Sequence, residues 1–484
     1  MSTVLAGASS ATTRLAPSEI PGPRPWPIIG WQGHLPQLLR DPAVQLRSLQ
    51  QTYGDIVSLG PAPGAPVMVF APEYNHQLLS NPGLFYSFDT SDSASPAQLP
   101  LGSAAARLLS GVAGMNGEKH TQHRRMLIPA FHKKRIEGLR DTVVARTADH
   151  LAGWAPGQRL DLVQEMKTLS LSIAVSALLG LDPAEEGRHV HHLLDEWTAH
   201  GLSIPVVLLQ VDLPGLPYHR FMTLSERLEA EFQAVIARKR ATGLDGADAL
   251  SMLLEMRDQE GSALTDSELL GHLTTLFTAG HETTASTLTW LLFLLTQHPD
   301  VLGDLLDECD GVLHGAAPTL EQLPALPLVE RVIKESMRLM PAGLWFIRTA
   351  RAPFTLGPYE LPMGQHIVFS PAVTHRRPDI YPDPDRFRPA RWEQDEPSTY
   401  EYLPFGGGPR RCLGATFAMM ELKLIVPMIL QRYRLALQPG TRVDRGGTVL
   451  SFPKGRLTVE LHAQDRRFTR TPVRGNIHEW VLLD

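Results

Sequence analysis

From Phe405 to Gly414 the chain reads "FGGGPRRCLG". This loop holds Cys412, one of only two cysteines in 484 residues, the other being Cys309. The glycines ahead of Cys412 let backbone N–H groups turn toward a sulfur without Cβ clashes. The following segment, "LGATFAMMELKLIVPMIL", places Leu413, Phe417, Met420 and Leu424 on one helical stripe until Pro427. Cys412 therefore sits just before a helix N-terminus, where free N–H groups and the helix dipole favour a thiolate. Arg410 and Arg411 add positive charge beside it. A thiolate so placed is either a nucleophile or a metal ligand.

A second unusual stretch is "TDSELLGHLTTLFTAGHETTASTLTWLLFLLTQHP", Thr265 to Pro299. Thr265 and Glu268 have capping-box spacing, and Pro299 ends the pattern. Roughly thirty residues at ~1.5 Å each give a helix of ~45 Å, enough to cross the whole molecule. Its middle breaks the local rules. Gly280 in mid-helix costs roughly 1 kcal/mol against Ala, and Glu282, Thr283 and Thr284 are polar where a central helix should be apolar. Back-bonded threonines in a kinked helix would explain this, and so would a functional site.

Several chemistries fail on spacing. A zinc protease needs a second histidine four residues after His281, where Ala285 stands. No Lys-Ser/Thr follows the glycines as a phosphate loop requires. No G-x-S-x-G elbow and no C-x-x-C pair occurs. Composition is ordinary globular, with 43% hydrophobic and 20% charged residues, and the net charge of -6 gives no reason to expect a nucleic-acid partner. Two cysteines fit a reducing compartment, so a cytoplasmic location is expected. The N-terminal "MSTVLAGASSATTRLAPSEI" lacks the apolar run of a signal or membrane anchor. Helical periodicity dominates. Strand-like stretches cluster at the two ends: "DIVSLG" and "PVMVFA" early, "HIVFSP" and "RLTVELHA" late. The expectation is a mainly α body with a smaller β lobe: a flexible tail over 1–20, one domain over 21–462, and an extension of unassigned role over 463–484.

"FGGGPRRCLG" resembles the haem-binding signature of the cytochrome P450 monooxygenases, F-x-x-G-x-R-x-C-x-G, at Phe405, Gly408, Arg410, Cys412 and Gly414. Other motifs agree. "KESMR" resembles the family's E-x-x-R pair, with Glu335 and Arg338. "PDPDRFRPARW" resembles its P-x-R-F element, with Arg386 as the third member of a structural Glu–Arg–Arg cluster. "AGHETT" resembles its oxygen-activating turn. "GEKHTQHRRMLIPAFH" resembles its propionate-binding helix, through His120 and Arg124. The resemblance runs from about Pro21 to about His462.

It implies the P450 fold, with a haem b between the long central helix and the helix after the cysteine loop. Cys412 is implied as the thiolate metal ligand, with His120, Arg124, Arg348 and Arg410 on the haem propionates. Thr283 is implied to orient dioxygen and its water, with Glu282 helping to relay protons. The implied activity is monooxygenation, hydroxylation or epoxidation, of a medium-to-large apolar substrate such as a fatty acid, terpenoid or polyketide-like compound. Wording in "AGHETT" and "PAFHKKRI" tilts toward the fatty-acid and terpene hydroxylases. Apolar stretches at Phe85–Val112, Ser203–Tyr218, Phe277 and Ala279, Ala342–Phe346 and near Leu450 are implied pocket linings.

Too little chain follows for a reductase module. A separate donor, ferredoxin or flavodoxin with its NAD(P)H reductase, is therefore expected to dock near Arg125, His132–Arg135 and Arg411. No membrane anchor is expected, and the chain is expected to be a monomer. Two other readings stay open. One is a haem-binding carrier or gas sensor, which would have no use for Thr283 and Glu282. The other is a haem-free cysteine nucleophile, which would need a histidine near Cys412.

Overall fold

The computed structural model describes residues 15–483 except 61–63, 88–98, 184–186, 202, 204–205, 207–208, 244–247, 259–260 and 395. Parts of the expected pocket-lining stretches Phe85–Val112 and Ser203–Tyr218, and residues 1–14 of the expected tail, lie outside the described residues.

The helices that frame the site are, in chain order, α1 (Pro72–Ser80), α2 (Ala104–Leu108), α3 (Gly117–Leu127), α4 (Leu162–Ala174), α5 (Pro217–Thr242), α6 (Asp266–Gln297), α7 (Pro327–Leu339) and α8 (Ala415–Leu430). The central helix α6 starts as its sequence requires. Glu268 N–H donates to Thr265 Oγ1 at 3.3 Å, and Thr265 N–H donates back to Glu268 Oε2 at 3.1 Å. The helix is unbroken through Gly280. Threonine hydroxyls back-bond along it, so the polar residues are satisfied locally without breaking the helix.

Helix α4 packs across α6. The run Leu162–Leu179 is long and apolar enough to cross a membrane, but it is a core element here, with Met166, Leu169 and Ile173 wholly buried.

The strands of the two larger sheets are β1 (Ile56–Ser58), β2 (Val67–Val69), β3 (Phe85–Tyr86), β4 (Arg159–Asp161), β5 (Phe346–Ala350), β6 (His366–Phe369), β7 (Tyr433–Leu437) and β8 (Thr458–Ala463). Early and late segments share one sheet in the order β1-β2-β6-β5-β3, where β2 runs parallel to β6 with Val67 opposite Ile367. A second sheet joins β4, β8 and β7. The two ends of the chain thus build the β lobe together.

Residues 15–20 and the segment after β8 both pack on the body of the molecule. Leu15 N–H donates to Pro358 O at 2.9 Å, and Ile20 is buried against the β lobe. The segment after β8 returns to the core. Leu482 N–H donates to Asp385 O at 2.9 Å, and the Trp480 indole N–H donates to Leu339 O, the last residue of α7, at 3.1 Å. The Arg376 guanidinium lies 3.6 Å from the Trp480 ring centre.

Candidate active site

The cysteine loop has the shape its glycines allow. Gly408 has φ +62°, and a Cβ there would stand 2.1 Å from the Leu79 carbonyl oxygen at the end of α1. Only glycine fits that position. The loop closes where Cys412 N–H donates to Phe405 O at 2.9 Å, and Gly414 caps α8. The Cys412 side chain is open to solvent on one face but sits deep among protein atoms. Burial pushes the thiol up. The Gly414 N–H and the charges of Arg124 and Arg411 pull the other way.

Four cationic or basic side chains expected from sequence come together from three separate segments: His120 and Arg124 on α3, Arg348 on β5, and Arg410 in the loop. Burial and the charges of Arg410, Arg124 and Arg348 press His120 down to about 4. Burial and Arg410 lower Arg348 to about 10, and burial and Arg124 lower Arg410 to about 10. Arg410 donates to Met115 O and Asn116 Oδ1, but its Nε is buried without a partner. Arg348 donates to Ile347 O at 2.8 Å. Among the described residues no carboxylate pairs with any of the four. Like charges gathered without counterions are costly unless an anion joins them. A thiol beside uncompensated guanidinium groups therefore fits a metal-bearing group with carboxylate arms.

On α6, Ala279 and Gly280 are exposed in mid-helix, between turns that are largely buried. A Cβ at Gly280 would meet nothing within 4 Å. Thr283, half-buried, donates to Ala279 O at 2.6 Å. Glu282 is buried, with Lys167 Nζ of α4 at 3.1 Å and His281 Nε2 at 3.6 Å. Burial alone would raise its carboxyl, but His281 and Lys167 hold it below the ordinary range. Lys167 is the partner that sequence reasoning missed, because nothing at its own position marks it.

Thr284, one residue on, donates to Gly280 O at 2.9 Å and lies 3.4 Å from Glu421 Oε2 of α8. Burial raises the Glu421 carboxyl to about 8.

Glu335 meets Arg338 at the expected spacing, but its second arginine is not the expected one. Its carboxylate takes five donors: Arg338 Nε and Nη2, Arg388 N, Arg391 Nε and Trp392 Nε1, all at 2.9–3.0 Å. The third charged member is therefore Arg391 and not Arg386. Arg386 offers its backbone carbonyl to Arg338 at 3.1 Å, and its side chain lies on the exposed face. The P-x-R-aromatic spacing occurs twice in this stretch, at Pro384–Phe387 and Pro389–Trp392. The second copy falls in the short 3-10 turn Pro389–Glu393, which packs on α7 and buries Arg391.

Outside the sulfur, a surface hollow is lined by Arg124, Ile128, Phe131, Arg411, Cys412 and Leu413. Arg125, His132, Lys133, Lys134 and Arg135 are all exposed.

The family model described as cytochrome P450 matches residues 20–456. Cyclooctat-9-en-7-ol 5-monooxygenase of Streptomyces melanosporofaciens is 34% identical over 439 residues, covering 88% of this chain and 93% of the relative. Cyclooctatin synthase of the same organism is 32% identical, covering 85% and 89%. Pentalenene oxygenase of Streptomyces avermitilis is 29% identical, covering 89% and 95%. Among solved structures, retinoic-acid-bound cyanobacterial CYP120A1 has a TM-score of 0.80 at 24% identity, covering 92% of this chain and 98% of that one. The cytochrome P450DA heme domain also has a TM-score of 0.80, at 23% identity, covering 93% and 99%. These two structures show the shared fold.

Proposed function

Because this chain belongs to the cytochrome P450 family of haem-thiolate monooxygenases, we propose that it oxygenates a cyclic terpenoid, with Cys412 as the thiolate ligand. When bound, the haem supplies reductive activation of O2, with one atom entering the substrate and the other leaving as water.

The chain's own residues do the rest. Arg124, Arg348 and Arg410 hold the propionates, and His120, neutral while alone among these cations, regains basicity when carboxylates enter. Thr283 turns its hydroxyl from the Ala279 carbonyl toward the open side of α6 and hands on protons. Glu282, tied to half-exposed Lys167, resupplies them from outside. The single observation that carries this reading is the gathering of buried His120 and half-buried Arg124, Arg348 and Arg410 beside the cysteine loop, with no carboxylate partner among the described residues.

The substrate class is supported by terpene-named relatives at up to 34% identity. The exposed basic stretch at Arg125 and His132–Arg135, flanking the hollow over the sulfur, suits a separate acidic electron donor.

The test has two arms. The reduced, carbon-monoxide-bound absorption spectrum should show the red-shifted thiolate band in the native protein and lose it in Cys412→Ser. Spectral titration with cyclooctat-9-en-7-ol and pentalenene, set beside a long-chain fatty acid, should favour the terpenoids. An unchanged Cys412→Ser band refutes the ligand assignment, and a preference for the fatty acid refutes the substrate class.

A further inference from the structure

Near the start of α6, two histidines that play no part in the proposed chemistry touch each other inside the core. His272 of α6 is 0% exposed and His123 of α3 is 5% exposed. His272 Nε2 lies 3.0 Å from His123 Nδ1. The Val112 N–H donates to His272 Nδ1 at 3.2 Å. At the other end, His123 Nε2 lies 3.3 Å from Glu268 Oε1.

The ends of this chain decide its interior. A backbone amide can only donate, and an ionised carboxylate can only accept. Between them two neutral imidazoles have one consistent arrangement. His272 accepts at Nδ1 and donates from Nε2, and His123 accepts at Nδ1 and donates from Nε2 to Glu268. Burial alone would raise Glu268, but the Thr265 bonds, His123 and Lys119 hold it low, which keeps it an acceptor.

We propose that this one-way chain is a positioning device. It fixes the loop at Val112, on the substrate side, to the helix that carries His120 and Arg124, on the cofactor side. The loop has no slack there. A Cβ on Gly111 would stand 2.0 Å from the Gly271 carbonyl oxygen, so loop and helix meet backbone to backbone. Without His272 the Val112 amide would be buried with no acceptor. That Val112 borders substrate rests on the function proposed above. The chain itself does not.

The groups facing the pair are Glu268 of α6 and Lys119 of α3, 3.4 Å apart. Burial, His123 and Lys119 bring His272 down to about 4 against the pull of Glu268, and burial lowers His123. Both rings are therefore neutral near pH 7. Protonation of His272 in acid would put a second N–H against Val112 and release the loop.

The test uses the full-length holoenzyme and needs no substrate. Nitrogen-15 histidine spectra at pH 7 should show both rings neutral, each protonated on Nε2. A ring protonated on Nδ1, or charged, overturns the chain. Amide exchange at Val112 should be slow in the native protein and in His272→Gln, whose amide can accept and donate in the same sense. It should quicken by about tenfold or more in His272→Leu, which removes one buried hydrogen bond. Haem content should stay equal across the three. Equal protection of Val112 in native and His272→Leu protein, or failure of His272→Gln to keep it, overturns the proposal. If His272→Leu does not fold, the ring tautomers and the His272→Gln result still decide. Neither readout depends on terpenoid turnover, so a wrong substrate assignment would leave this result standing.

Discussion

Two groups of arginines in this molecule, one buried and one half-buried, differ in their counterions. Around Glu335, Arg338 and Arg391 share a carboxylate that is wholly buried and accepts five hydrogen bonds. Around the cysteine loop, Arg124, Arg348 and Arg410 share no carboxylate among the described residues, and burial, with their mutual repulsion added, lowers the pKa of Arg348 and Arg410. The first group is complete within the chain. The second is complete only when an anion from outside joins it. A buried charge cluster can therefore be sorted by its counterions, scaffold in one case and receptor in the other.

The largest effect should come from breaking the complete group. Burial alone would raise the Glu335 carboxyl, and Arg338 and Arg391 hold it low instead. Arg391→Ala leaves that carboxylate short of a cation, at a cost of about 3–5 kcal/mol. Thermal unfolding should show a large fall in Tm and purified protein should carry little haem. Arg386→Ala should change either by less, because the backbone carbonyl that Arg386 offers Arg338 is kept by alanine and its side chain lies on the exposed face, away from the Glu335 carboxylate. If Arg386→Ala were the worse of the two, the assignment of Arg391 would fail.

A second buried glutamate sharpens the contrast. Among the described residues Glu421 has no cation, and burial lifts it to about 8. Its folded pKa lies above its unfolded value, so the folded state holds the extra proton and stability falls as pH rises from about 4.5 toward 8. One proton sets a limit near 1.4 kcal/mol per pH unit. Stability of native protein and Glu421→Gln, measured from pH 5 to 9, should diverge, with the slope flatter in the variant. Parallel curves would mean that Glu421 is ionised in the fold.

How much of this was legible in the sequence varies from residue to residue. Cys412 and Gly408 could be read directly because a tight loop restricts residue type at nearly every position. The long helix was readable because Thr265, Glu268 and Pro299 mark its ends. Arg386 was misread because a short motif occurs twice within nine residues, and only burial on α7 separates the copies. Lys167, Glu421 and the His123–His272 pair left no readable signal, since each gains its role from a partner more than a hundred positions away or on another helix. The final residues looked unassignable because Trp480 acts through Arg376 and Leu339, contacts that no local pattern encodes.

The smallest effect is the most direct check on the contrast, because its sign should reverse. Arg348 sits on β5 beside Arg410 with, among the described residues, only a backbone carbonyl as hydrogen-bond partner, so its charge opposes folding until carboxylates arrive. Arg348→Gln should therefore stabilise the haem-free protein, by roughly 0.5–1 kcal/mol once solvent screening is allowed for. The same change should make the haem-loaded protein lose its pigment faster to a haem acceptor, because one propionate partner is gone. Chemical denaturation of the haem-free form and haem-transfer rates of the loaded form measure the two halves separately. A substitution that weakens both forms would place Arg348 with Arg338 as scaffold. A gain in one and a loss in the other is what a site built to receive an anion requires.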